Sequence, residues 1–324
     1  MRKKLFTKSL VVLMLISVFA FALTGCRKVE VNNEFNDTFG ASGINHTTKN
    51  LEKIVLAGDE NGQPDTIFTA LDKINVNYRN YNYVGVRGLV KGNTTGTTST
   101  SQSIYITNIQ EKDVMTNKVK IYHEDASVSS LKVLKPSIVQ IMQFADSNGK
   151  TTVSVREATG TKNVFTNEEA YPTVKKFNDE PKKYTDMNKY LNDFHQDVAV
   201  FLPYTLDATT LDESACTMSR DAEGFINLHL VVKTDSLQDA TVEKRETIAI
   251  KTNYSIPVTA DKVTYQNLVV DIKLWPDNYV RSVTTSEKYI MDSGAAFGIQ
   301  TCDLKTNMYY SYDPLELPIK DFEF

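Results

Sequence analysis

The sequence predicts an α+β fold: an antiparallel sheet of about nine or ten short strands with helical segments against its apolar face. Three observations carry this. Short runs rich in Val, Ile, Thr and Tyr alternate apolar and polar residues, the period of a strand with one buried side. Turn signals separate neighbouring runs, which favours hairpins and hence antiparallel pairing. One stretch, Met187 to Phe201, instead steps by four and three, the period of an amphipathic helix.

The elements follow in order. Pro64 opens a helix whose apolar face is Ile67, Phe68, Leu71 and Ile74. Tyr81 to Val90 reads as a strand, and the Thr/Ser/Gly stretch 93–101 as a hairpin loop. Strands follow at Ser103 to Ile109 and Lys118 to His123. Ile138 to Phe144 and Thr151 to Glu157 flank the turn Asp146-Ser147-Asn148-Gly149. Residues 167–202 carry the helical stripe Met187, Leu191, Phe194, Val198 and Phe201, which must end before Pro203. Residues 207–223 read as a long loop holding Cys216. Alternation returns with Ile226, Leu228, Leu230 and Val232. A charged segment from Asp239 to Arg245 is compatible with helix. Tyr265 to Trp275 and Tyr279 to Ile290 form a pair across Pro276-Asp277-Asn278, and Val270 and Ile272 lie on the apolar face of the first. Met308 to Tyr312 is the last strand.

The N-terminus has its own pattern. Basic residues Arg2, Lys3, Lys4 and Lys8 precede an apolar run from Leu10 to Leu23, then Thr24-Gly25-Cys26. The run has 14 residues, short of the roughly 20 that a spanning helix needs, and has the length of a signal h-region. The pattern resembles the lipobox of bacterial lipoproteins. That resemblance implies removal of residues 1–25, a lipid on the sulfur of Cys26, and a place on the outer face of a membrane. Acyl chains would be the anchor, at about 0.8 kcal/mol for each buried CH₂. Residues 26–50, polar and rich in Asn and Thr, read as a flexible tether, and residues 51–324 as a single ligand-binding domain.

Charge narrows the partners. The chain has 36 Lys and Arg against 40 Asp and Glu. The first 25 residues hold four of the bases and no acid, which leaves a net charge of −8 after their removal. That balance argues against nucleic acid and against a polybasic membrane patch. Beyond Cys26 only Cys216 and Cys302 remain, enough for one disulfide and too few for a zinc site.

Catalytic signatures are lacking. His46 falls in the tether, His195 on a helix surface beside Asp193 and Asp197, and His229 on the polar side of a strand. There is no G-x-S-x-G, and Gly85-Val86-Arg87-Gly88 lies inside a strand with no helix behind it. Asp59-Glu60-Asn61-Gly62 and Asp146-Ser147-Asn148-Gly149 lack the sixth-position glycine of a calcium loop. No cofactor is expected. A hydrolase working through a carboxylate pair ranks last of the functions considered, since spacing selects no pair.

Element order, the segment Val269-Val270-Asp271-Ile272-Lys273-Leu274-Trp275-Pro276-Asp277-Asn278-Tyr279 and the closing Tyr309-Tyr310-Ser311-Tyr312-Asp313 resemble the LolA/LppX-like lipoprotein carriers. The resemblance implies a strongly curved half-barrel of about nine to eleven strands with helices on its concave face, and a hydrophobic ligand. On that reading Met187, Leu191, Phe194, Val198 and Phe201 line one wall of a cavity, and Ile226, Leu228, Leu230, Val270 and Ile272 the other. The same side chains also suit an ordinary core. Two functions stay open: a non-enzymatic carrier of lipid or another apolar molecule, and a surface lipoprotein that binds another envelope protein through a sheet edge or its tyrosine clusters.

Overall fold

The computed structural model describes residues 46–59, 62–96, 99–113, 118–129, 137–145, 151–160, 174–177, 182–184, 201–253 and 258–313. They form one open antiparallel sheet of twelve strands with a few helices. The strands are β1 Tyr83–Thr95, β2 Thr100–Asp113, β3 Lys118–Ser129, β4 Ser137–Ala145, β5 Thr151–Gly160, β6 Val174–Phe177, β7 Lys182–Tyr184, β8 Thr217–Arg220, β9 Ile226–Val231, β10 Val263–Leu274, β11 Val280–Asp292 and β12 Ile299–Ser311. Their spatial order is β6-β5-β4-β3-β2-β1-β12-β11-β10-β9-β8, with β7 pairing with β5. Two meanders, β1 to β5 and β8 to β12, meet where β1 pairs with β12 from Gly85↔Ser311 to Thr95↔Thr301.

Strand count exceeds the expectation because three short strands carry no period-2 signal. β6 and β7 lie in the segment read for its helical stripe, and β8 lies in the presumed loop 207–223. Three or four residues are too few to show alternation. A larger correction concerns residues 93–101. They are not a long hairpin loop: β1 runs to Thr95, β2 starts at Thr100, and Thr94 pairs with Thr100. Threonine suits a strand as well as a loop, and the ladder decides between them. The last strand likewise starts at Ile299, nine residues before the expected Met308.

Helix α1, Ile67–Asn80, starts three residues beyond Pro64, the residue expected to open it. Thr66 caps it, its hydroxyl accepting from the Thr69 amide at 3.2 Å. Ala70, Leu71, Ile74 and Tyr78 are buried, and Ile67 and Phe68 pack at the margin. Further short helices are α2 Leu237–Ala240, α3 Val242–Asn253 and α4 Gly294–Phe297. α2 supplies Leu237 and Ala240 to the same core. No described helix is long and apolar enough to cross a membrane.

The core lies on one side of β9 to β12 and β1. Register fixes which side chains share it: Leu228, Ile272, Val283 and Met308 form one cross-strand row, and Leu230, Val270, Thr285 and Thr306 the next. Segment 46–56 straps across this body. The Thr48 amide donates to Tyr279 Oη at 2.7 Å, and the Ile54 amide to Asn278 Oδ1 at 3.0 Å. The folded body therefore begins by His46 rather than near Leu51, because polar residues dock here through hydrogen bonds that leave no hydrophobic pattern.

Candidate functional site

Ile226 and Leu230, with Leu228 between them, alternate inward along β9. Val270 and Ile272 face them from β10 through the pairs Val270↔Leu230 and Ile272↔Leu228. The structure brings these five together on one face of the sheet. All five are core side chains, at most 1% exposed. Phe201 is also buried, with its ring 5.1 Å from Tyr78 and 5.9 Å from Tyr310. Met187, Leu191, Phe194, Val198 and Cys26 lie outside the described residues.

The same side of the sheet changes character toward β1 and β2. The first row continues from Met308 to Gly88 and Ile106, the second from Thr306 to Val90 and Ile104. Val90, Ile104, Ile106, Leu304 and Met308 are only partly buried. β1 leaves them room by carrying glycine. A Cβ on Gly88 would sit 3.3 Å from Met308 Cγ, and one on Gly92 would collide with Leu304 Cδ2. Two bare positions on one strand let the β12 side chains lie flat across β1. The result is a half-covered apolar strip continuous with the packed core.

A polar group borders this strip. Glu287 of β11 points inward and is buried, beside Leu304 in the register. Its Oε1 accepts from Tyr204 Oη at 2.7 Å and Thr285 Oγ1 at 3.2 Å, and its Oε2 from Tyr265 Oη at 2.8 Å. Lys244 Nζ of α3 stands 3.8 Å from Oε1. Burial first, and the carboxylate's charge second, push the Tyr204 and Tyr265 hydroxyls well above the ordinary phenol range. Both tyrosines therefore act as neutral donors, and each carboxylate oxygen has a donor. Sequence parity held a signal for this: Val283, Thr285, Glu287, Tyr289 and Met291 share one face of β11, and a lone acid on an apolar face requires partners.

No family model and no curated protein matches the chain. Among solved structures it is similar to a beta-barrel-like protein of domain of unknown function DUF1849 from Brucella abortus, with 9% identity and a TM-score of 0.23, over 71% of this chain and 99% of that one. At that score the likeness carries no argument about the site.

The remaining candidates fall in ordinary places. Cys216 and Cys302 are both buried free thiols. They stand at β8 and β12, four strand spacings apart, or roughly 19 Å along the sheet, too far for a bridge. Burial pushes both thiols up. Asp59 belongs to a turn, bonded to the Leu56 amide at 2.9 Å and to Arg220 Nη2 at 2.9 Å. His46, assigned to the tether, instead sits among Trp275, Tyr279 and Tyr312. His123 and His195 fall where no side chain is described. Among the described residues no group of three or more His, Cys, Asp or Glu is placed to hold a metal ion.

Proposed function

We propose that the chain is an extracytoplasmic binding protein, anchored through lipid on Cys26, that holds an apolar or amphiphilic ligand on the core side of its sheet and performs no chemistry on it. The observation that carries this reading is the half-covered strip of Val90, Ile104, Ile106, Leu304 and Met308. Buried apolar area contributes about 25 cal/mol per Å², so an acyl chain laid along such a strip gains affinity without directed bonds. In this reading the sheet bends around the ligand, helices line its inner side, and the stripe from Met187 to Phe201 is assigned to the opposite wall. The core residues Ile226, Leu228, Leu230, Val270 and Ile272 form the floor against which that site is built.

The test is direct. Mass spectrometry of an organic extract of the purified protein is expected to find co-purified lipid, and a fluorescent fatty acid is expected to bind at micromolar Kd, about −8 kcal/mol. Met308→Glu and Ile106→Glu are expected to weaken that binding by about tenfold or more. A protein free of lipid that does not bind the probe overturns the reading. A second reading has one observation in its favour. β8 ends the strand order and three of its four residues are exposed, so it offers an edge to an extended segment of another envelope protein. A specific protein partner lost on Met218→Pro, with fatty-acid binding absent, would favour it.

A further inference from the structure

The opposite, polar face of the sheet hollows into a groove of about 260 Å³ across β8 to β11. Two cross-strand rows line it. One runs Thr217, His229, Asp271, Thr284, and the other Ser219, Asn227, Lys273, Ser282. The charged groups of this groove already have partners. His229 Nδ1 lies 2.6 Å from Asp271 Oδ1, and Lys273 Nζ lies 2.9 Å from Asp221 Oδ2. Asn227 Nδ2 reaches the same Asp221 oxygen at 3.2 Å. Thr284 Oγ1 donates to Asn307 Oδ1 at 3.1 Å on the next strand.

We propose that this groove binds a neutral glycan, one or two sugar units at a time. Lys273 already has its counter-ion in Asp221 and Asp271 is held by His229, so a further anion would meet carboxylates already in place and an uncharged ligand is favoured. Hydroxyls at Thr217, Ser219 and Ser282, with the Asn227 amide and the imidazole, supply both donors and acceptors, which a polyhydroxylated ring requires. Asp271 holds the imidazole through Nδ1, so Nε2 is the ring atom left to a ligand. At the β12 side Tyr309 pairs with Ser282 and is partly exposed, a ring face for sugar C–H groups. The volume is slightly under the usual range for drug-sized ligands, which limits the site to a short stretch of glycan.

This face is separated from the apolar strip by the sheet itself, so the two sites succeed or fail independently. The test titrates the full folded chain with chitotriose and maltotriose, and with the anionic trimer of galacturonic acid, while the His229 ring resonances are followed by NMR. A neutral trimer is expected to shift the His229 signals with a millimolar Kd, about −4 kcal/mol, and the anionic trimer to bind several-fold more weakly. Asp271→Asn and Tyr309→Ala are each expected to weaken binding by about tenfold with thermal unfolding unchanged. Ser219→Ala, on the exposed edge strand, gives a second variant that does not threaten the fold, with a loss of a fewfold. The proposal is overturned if neither neutral trimer moves His229, if the anionic trimer binds as tightly as the neutral ones, or if the folded variants bind like the parent chain.

Discussion

His46 stacks on Tyr279, with ring centroids 4.0 Å apart and planes 11° from parallel. Trp275 and Tyr312 meet the same imidazole edge-on at 5.7 and 5.1 Å, and Asp277 Oδ2 lies 2.7 Å from its Nδ1. One histidine thus fastens the strap 46–56 to the β10–β11 turn. His46→Ala is expected to destabilise the fold by about 1–2 kcal/mol. Hydrogen exchange should show where: the Thr48 and Ile54 amides lose protection before the strands do. Unchanged protection at both would refute the clamp.

Asn278 performs two tasks. It adopts φ 72°, a left-handed conformation, in the turn between β10 and β11, and its Oδ1 accepts the Ile54 amide. Asn278→Gly keeps the turn and loses the acceptor, whereas Asn278→Ala loses both. Urea unfolding is expected to rank the parent chain above Gly and Gly above Ala, with about 1 kcal/mol between successive members. Equal stability of the two variants would separate the turn strain from the account.

Glu287 is the most consequential buried polar group described. Glu287→Ala would strand the hydroxyls of Tyr204 and Tyr265. A loss of about 3–5 kcal/mol is expected in equilibrium unfolding. Glu287→Gln retains an acceptor and should lose less. A Glu287→Ala protein within about 1 kcal/mol of the parent would show that water replaces the carboxylate readily.

Acid titration should report Asp221. The hydrogen bond from the Lys273 ammonium, followed by those from Asn227 and the Phe225 amide, lowers its carboxyl from 3.8 to about 2. The folded state therefore binds this proton less readily than the unfolded state. The resulting stabilisation is complete above about pH 4 and is lost as pH falls from there toward about 2. Asp221→Asn should remove that part of the pH dependence, seen as a flatter plot of urea midpoint against pH in this window. Superimposable plots for the two proteins would contradict it.

Much of this architecture was legible in the residues. The helix around Leu71 and Ile74, the alternation at Ile226, Leu228 and Leu230, and the turn at Pro276-Asp277-Asn278 each have a local signal that tertiary packing reinforces. Strand ends were not legible. Thr94, Thr100 and Thr301 are neither buried nor fully exposed, so alternation fades while the ladder continues. The candidate sites were legible only in part. The wall at Val270 and Ile272 shows its period, but the half-covered strip depends on which β12 residues lie over Gly88 and Gly92. Nothing local to β1 reveals that pairing. The polar groove is harder still, because its two rows draw two residues from each of four strands.

The seam between β1 and β12 constrains how the chain can be made. Gly88 and Gly92 belong to the first strand, and the Met308 and Leu304 that cover them arrive only with the last. Until then a growing chain presents a long, bare strand border, a template for mispairing with its neighbours. Such a topology ripens late and slowly.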